Sequence, residues 1–124
     1  MNVLGTHILL DLKDCDREIL NDLSLVRDAL ISAAQQMGAK ILGESFHKFD
    51  PQGVTGVLPI AESHLCIHTW PEHGYAAVDV FTCSQSIDAH RIAEHLIGKL
   101  KSKDPFIIEV KRGVFTPSQV RIAG

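Results

Sequence analysis

The sequence predicts an α+β fold, a two-layer sandwich in which a mainly antiparallel β-sheet carries two helices on one face, in the order β-α-β-β-β-β-α-β. Three observations point there. Strand-length segments are bounded by turn signals, two segments carry helical periodicity, and a run of strands separates the two helices instead of alternating with them. At 124 residues and 45% hydrophobic content, residues 1–124 are read as a single domain with one core.

The elements follow in chain order. "THILLDL", residues 6–12, has strand length and ends in the turn-prone "KDCD". From about Ser24, the residues Val26, Leu30, Ala33 and Met37 recur at steps of four, three and four, with Asp22 or Ser24 as N-cap and Gly38 suited to the C′ position. "AKILGESFHKF", residues 39–49, reads as a second strand, "DPQG" as a turn, "VTGVLPI" as a third strand and "SHLCIHTW" as a fourth.

"PEHG" then turns the chain into "YAAVDVFTC", whose alternation puts Tyr75, Ala77, Asp79, Phe81 and Cys83 on one face and Ala76, Val78, Val80 and Thr82 on the other. A hairpin is the simplest pairing. "SIDAHRIAEHLIGKL" forms a second helix with Ala89, Ile92, Ala93, Leu96 and Leu100 as one apolar stripe and Ser86 or Asp88 as cap. His90, Glu94 and His95 fall on its polar side, read as solvated. "DPFIIEVKRG" is the last strand, and the tail "VFTPSQVRIAG" reads as loosely held.

A formal charge of −3 with 12 scattered basic residues gives no electrostatic footprint for nucleic acid or an anionic membrane, and neither is expected as a partner. No apolar run approaches the roughly 20 residues that span a bilayer, and the N-terminus lacks a basic flank and a small-residue cleavage site, so a cytoplasmic location is expected. Cys15, Cys66 and Cys83 have no paired spacing; reduced thiols are expected.

One stretch carries reactive side chains in a strand pattern: "AESHLCIHTW", Ala61 to Trp70. A hairpin around Pro71–Gly74 sets Trp70 opposite Tyr75, His68 opposite Ala77, Cys66 opposite Asp79 and Glu62 opposite Cys83, which places Cys83 beside Ser63. His68 lies five residues from Ser63 on the same strand, roughly 16 Å at about 3.3 Å per residue, too far to serve its own Ser63.

The residues alone leave three readings open. His64, Cys66 and His68 are packed on a half-buried strand; or they join His73 as metal ligands, although the tight paired spacing of a zinc site is missing; or Ser63 is a nucleophile. "ESHL" is no G-x-S-x-G elbow, which disfavours a hydrolase. Ser63 could instead attack the Glu62 carbonyl in an N-to-O acyl shift. Elimination would then leave a pyruvoyl group on a new N-terminus and fragments of residues 1–62 and 63–124.

The run "FHKFDPQGVTGVLPIAESHLCIHTWPEHGYAAVDVFTC", Phe46 to Cys83, with "N-V-L-G-x-H" and "DCDREIL" before it, closely resembles the small bacterial and archaeal S-adenosylmethionine decarboxylase proenzymes. The resemblance implies self-cleavage between Glu62 and Ser63 into a β chain (1–62) and an α chain (63–124). It also implies a pyruvoyl cofactor made from Ser63 that forms a Schiff base with S-adenosylmethionine, with no metal. Release of CO2 would give S-adenosylmethioninamine for spermidine and polyamine synthesis.

By the same resemblance, Cys83 is the proton donor in decarboxylation and His68 the proton acceptor in processing. Phe49 stacks on the adenine, Trp70 is a weaker candidate near it, and Glu72 holds the ribose. Cys66 matches no family role. Thr55 stands where the family usually has a serine hydroxyl that takes part in processing; the extra methyl restricts its rotamers.

The resemblance further implies a homodimer, an αββα arrangement of four layers, in which His68 and Thr55 of one protomer meet Ser63 and Cys83 of the other. Two alternatives remain from the sequence. One is a pyruvoyl-dependent arginine or ornithine decarboxylase on the same fold; the other is an unprocessed, non-catalytic partner subunit.

Overall fold

Capping and periodicity set the helices. The computed structural model describes residues 3–84 and 86–115, so most of the tail beyond Val114 lies outside the described residues. Strand β1 (Val3–Lys13) leads into a short helix α1 (Arg17–Leu20), whose start is held by Asp16 Oδ1 accepting from the N–H groups of Glu18 (2.9 Å) and Ile19 (3.1 Å). Helix α2 (Leu23–Gln36) follows, and of the two predicted caps it is Asp22 that accepts from Leu25 N–H, at 3.1 Å. Four strands come next, β2 (Ser45–Lys48), β3 (Val54–Ile60), β4 (Ser63–Trp70) and β5 (Tyr75–Thr82), then helix α3 (Ala89–Leu100), capped by Asp88, and strand β6 (Asp104–Val114).

The strands form one six-stranded sheet in the order β2-β3-β4-β5-β1-β6, with every neighbouring pair antiparallel. The predicted α+β class is the observed one. Alternation gives the sheet two unlike faces. Ile8, Leu10, Leu12, Leu65, Ile67, Ala76, Val78 and Val80 are buried under α2 and α3, whose own buried stripes are Val26, Ala29, Leu30, Ala33 and Ala34, and Ala89, Ile92, Ala93, Leu96 and Leu100. Val57, Trp70, Phe106, Ile108 and Val110 lie on the opposite parity, where no helix among the described residues packs; Phe106 is 55% exposed and Ile108 45%.

Two expectations need correction. The strand predicted over residues 39–49 is reduced to β2, with only an isolated bridge between Ile41 and Ile60 before it. From that bridge to the Ser45–Val57 pair there are four steps along one strand and three along the other, so one extra residue interrupts the ladder as in a bulge. Gly43 sits in the irregular stretch, and the exposed Arg27 guanidinium holds Glu44 through two hydrogen bonds. The second correction is α1, which is too short to leave a periodic signal and rests on the Asp16 cap.

Both long helices end in the same motif with different residues. After α2, Gly38 (φ 70°) lets Ala39 N–H reach Ala34 O at 3.0 Å and its own N–H reach Gln35 O at 3.0 Å. After α3 the equivalent bonds run from Ser102 N–H to Ile97 O (3.1 Å) and from Lys101 N–H to Gly98 O (3.3 Å), with Lys101 at φ 56°. A side chain in this left-handed region is disfavoured, whereas glycine adopts it freely. Lys101→Gly is expected to stabilise the fold by about 0.5–1 kcal/mol, seen as a rise of about 2–4 °C in Tm by thermal unfolding. An unchanged or lower Tm would show that the lysine is unstrained there.

Candidate active site

The β4–β5 hairpin carries or directly flanks most of the predicted site residues, and its register is the one the sequence predicts: Trp70 pairs with Tyr75, His68 with Ala77, Cys66 with Asp79 and Ser63 with Thr82. One step further, Cys83 N–H donates to Glu62 O at 2.9 Å. The residues gather at the two ends of these strands.

At one end Ile60 pairs with Ser63, so Ala61 and Glu62 form a two-residue connection between β3 and β4. Glu62 has φ 62°, a left-handed conformation uncommon for a residue with a side chain. Its carbonyl is the one held by Cys83 N–H. The Ser63 hydroxyl donates to Thr82 Oγ1 at 2.8 Å, and Ser84 N–H donates to the same oxygen at 3.0 Å. The Cys83 side chain is exposed, and a cavity of about 380 Å3 opens beside Thr82, Cys83 and Ser84 towards Leu4, His90 and Lys111.

At the other end Thr55 pairs with His68, and Thr55 Oγ1 lies 3.0 Å from His68 Nδ1. A cleft of about 310 Å3 is lined by Phe49, Thr55, His68, Trp70 and Glu72. Trp70 packs on Tyr75 with ring centroids 5.3 Å apart, and Phe49 is 46% exposed. Glu72 reaches the cleft from the 3-10 turn Pro71–His73, which Gly74 closes at φ 60°.

Within one chain these two groups do not meet. Ser63 shares the parity of Leu65 and Ile67, which face the helices, while His68 shares that of His64 and Cys66 on the open face. To the distance along the strand, the structure therefore adds an opposition of faces.

The other reactive groups find local partners. His64 stacks on Phe81 (5.5 Å), and His7 lies edge-on to the same ring while bonding Asp79 at 3.0 Å. Burial, then the Asp79 charge, pushes the Cys66 thiol above its ordinary range; burial pushes the Cys15 thiol to about 11, keeping it protonated. Among the described residues no three or more His, Cys, Asp or Glu side chains are grouped to hold a metal ion. His90 and Glu94 are exposed as expected, with His90 paired to Glu109. His95 differs: it is half-buried, bonds Ser32 of α2 at 2.8 Å, and burial, then Lys99, lowers its pKa.

Sequence reasoning missed Thr82 and the Cys83 main-chain N–H. The register that placed Cys83 beside Ser63 also sets Thr82 opposite it, so the signal was present; that their hydroxyls touch depends on side-chain direction.

The sequence model of S-adenosylmethionine decarboxylase matches residues 6–113. This chain belongs to the S-adenosylmethionine decarboxylase family. The S-adenosylmethionine decarboxylase proenzyme of Thermodesulfovibrio yellowstonii is 50% identical over 116 residues, 94% of this chain and 86% of the relative. That of Moorella thermoacetica is 49% identical over 119 residues, 96% of this chain and 95% of the relative. The crystal structure of the adenosylmethionine decarboxylase from Aquifex aeolicus VF5 superposes with a TM-score of 0.87 at 33% identity, covering 98% of this chain and 100% of the other.

Proposed function

We propose that this protein is an S-adenosylmethionine decarboxylase that cleaves itself between Glu62 and Ser63, acquires its pyruvoyl group from Ser63, and works as a homodimer in polyamine synthesis. The observation that carries the reading is the hydrogen bond from Cys83 N–H to the Glu62 carbonyl, next to a serine whose hydroxyl is itself held. Attack of Ser63 Oγ on that carbonyl carbon develops negative charge on the oxygen, and a preset N–H at 2.9 Å is the donor such an oxyanion needs. The shift ends as an ester between Glu62 and the Ser63 side chain, with the former hydroxyl proton on the Ser63 nitrogen.

Elimination then requires a base at the Ser63 α-carbon. Because the Ser63 side chain takes the helix-facing parity, tetrahedral geometry tilts its Cα–H towards the open face, the face that carries His68. A partner chain packed on that face by its exposed Trp70, Phe106 and Ile108 would bring its own His68 there. Thr55 Oγ1, 3.0 Å from His68 Nδ1, orients the ring and leaves Nε2 for the proton, so threonine supplies here what serine supplies elsewhere in the family.

A pyruvoyl group made from Ser63 would supply a carbonyl for imine chemistry with the substrate amine and an electron sink for decarboxylation. The chain's residues do the rest. Phe49 and Trp70 offer ring faces to the adenine and to the cationic sulfonium, Glu72 offers its carboxylate to the ribose hydroxyls, and the exposed Cys83 thiol delivers a proton to the substrate α-carbon.

Intact-mass measurement of the purified protein tests processing, and CO2 release from S-adenosylmethionine, arginine and ornithine tests the substrate. Cleavage between residues 62 and 63 with turnover of S-adenosylmethionine alone is expected; an uncleaved active chain, or release from either of the other amino acids, would overturn the corresponding part. Cys83→Ala keeps the main-chain N–H and should still cleave, but its kcat should fall about 100-fold or more. During turnover the fragment beginning at residue 63 should acquire an alanyl terminus in its mass spectrum, the mark of a misplaced proton. Full activity in this variant would remove Cys83 from proton delivery.

A further inference from the structure

The Ser63–Thr82 contact points beyond the residues already assigned. The Thr82 side chain is 5% exposed, and its hydroxyl is bonded on every side: it accepts from Ser63 O–H at 2.8 Å and from Ser84 N–H at 3.0 Å, and it faces Ser84 O at 3.4 Å for its own proton. A threonine hydroxyl has one proton and two lone pairs. With both lone pairs taken and the proton directed at a carbonyl, Thr82 can only receive from Ser63, so Ser63 is the donor. That direction leaves the lone pairs of Ser63 Oγ free while fixing where the oxygen sits.

We infer that Thr82 is a positioning residue for self-cleavage: its hydroxyl, anchored by the Ser84 main chain, holds Ser63 Oγ in the rotamer from which it attacks the Glu62 carbonyl. The inference rests on the self-processing reading above and concerns only its first step. In that step the bond from Ser63 Oγ to the Glu62 carbonyl carbon forms, the Glu62–Ser63 C–N bond breaks, and the hydroxyl proton ends on the freed nitrogen. Thr82 gains and loses nothing. Its β-branch restricts χ1, and burial in the sheet between β4 and β1 restricts it further, so the anchor is stiff. A serine free to sample its three staggered rotamers would spend only part of its time aimed at the carbonyl.

The test uses two variants of the full chain with the time course of cleavage read by intact mass. Thr82→Val keeps shape and removes the hydroxyl; it should cleave at least about tenfold more slowly than the parent. Thr82→Ser restores a hydroxyl and should recover most of the rate. Hydroxylamine, which cuts esters, identifies the step: Thr82→Val should hold no ester and remain uncut, whereas a His68→Ala chain, stalled after the shift, should be cut at residue 62. Parent-like cleavage of Thr82→Val, equal slowing in both variants, or accumulation of ester in Thr82→Val would each overturn the inference. If the parent chain itself does not cleave, the processing reading fails first.

Discussion

A chain carrying Ser63→Ala is expected to remain one 13.6 kDa polypeptide and to release no CO2 from S-adenosylmethionine above background, a loss of at least about four orders of magnitude. Alanine has no oxygen to attack the Glu62 carbonyl and no route to a carbonyl at its own α-carbon, so one substitution would remove both the proposed cleavage and the proposed cofactor. The fold should survive. Ser63 is half-buried at the end of β4, and among the described residues its hydroxyl makes one hydrogen bond, to Thr82 Oγ1. Losing that partner costs about 1 kcal/mol, and Thr82 keeps its bonds to Ser84. Thermal unfolding of the variant within a few degrees of the parent would show that the lost activity is chemical. Residual decarboxylation by a folded Ser63→Ala chain would end the pyruvoyl reading.

His68→Ala and Ser63→Ala chains, each inactive when made separately, are expected to rescue one another when produced together. In a mixed dimer of the proposed arrangement the Ser63 of one chain would meet the intact His68 of the other. Random association of equal amounts puts about half of the His68→Ala chains in such dimers, so about half of them should cleave, while no Ser63→Ala chain does. The basis is geometric. Ser63 and His68 stand five residues apart on one strand and on opposite faces of the sheet, and each belongs to a different cluster: Ser63 with Glu62, Thr82 and Cys83, His68 with Phe49, Thr55, Trp70 and Glu72. Mass spectrometry of separately tagged chains reads the outcome. No cleavage when the two chains are produced together, or an active monomer, would place the whole site in one chain.

Much of this geometry is legible in the sequence because it follows short periods. Strict alternation in Tyr75–Thr82 marks both faces of β5, the stripe Ala89, Ile92, Ala93, Leu96 and Leu100 marks the buried side of α3, and the turn at Pro71–Gly74 fixes a register from which the Glu62–Cys83 pairing follows by counting. Where the period breaks, the reading fails. Residues 39–49 look like one strand by composition, but the ladder between β2 and β3 is interrupted before Ser45, and no local pattern announces the extra residue. His95 looks solvated on its helix face and is instead drawn to Ser32 across the α2–α3 packing.

By itself the sequence determined the strand register that sets Glu62 opposite Cys83, the helix stripes and the family resemblance. All of these depend on spacing along the chain. Only the tertiary structure decided that the Ser63 hydroxyl donates to Thr82, that Thr55 reaches His68, and that Phe49, Trp70 and Glu72 border one cleft at the far end of the sheet from Ser63. Those contacts depend on which way each side chain leaves its strand and on three strands meeting side by side, and both are set by packing between residues distant in sequence.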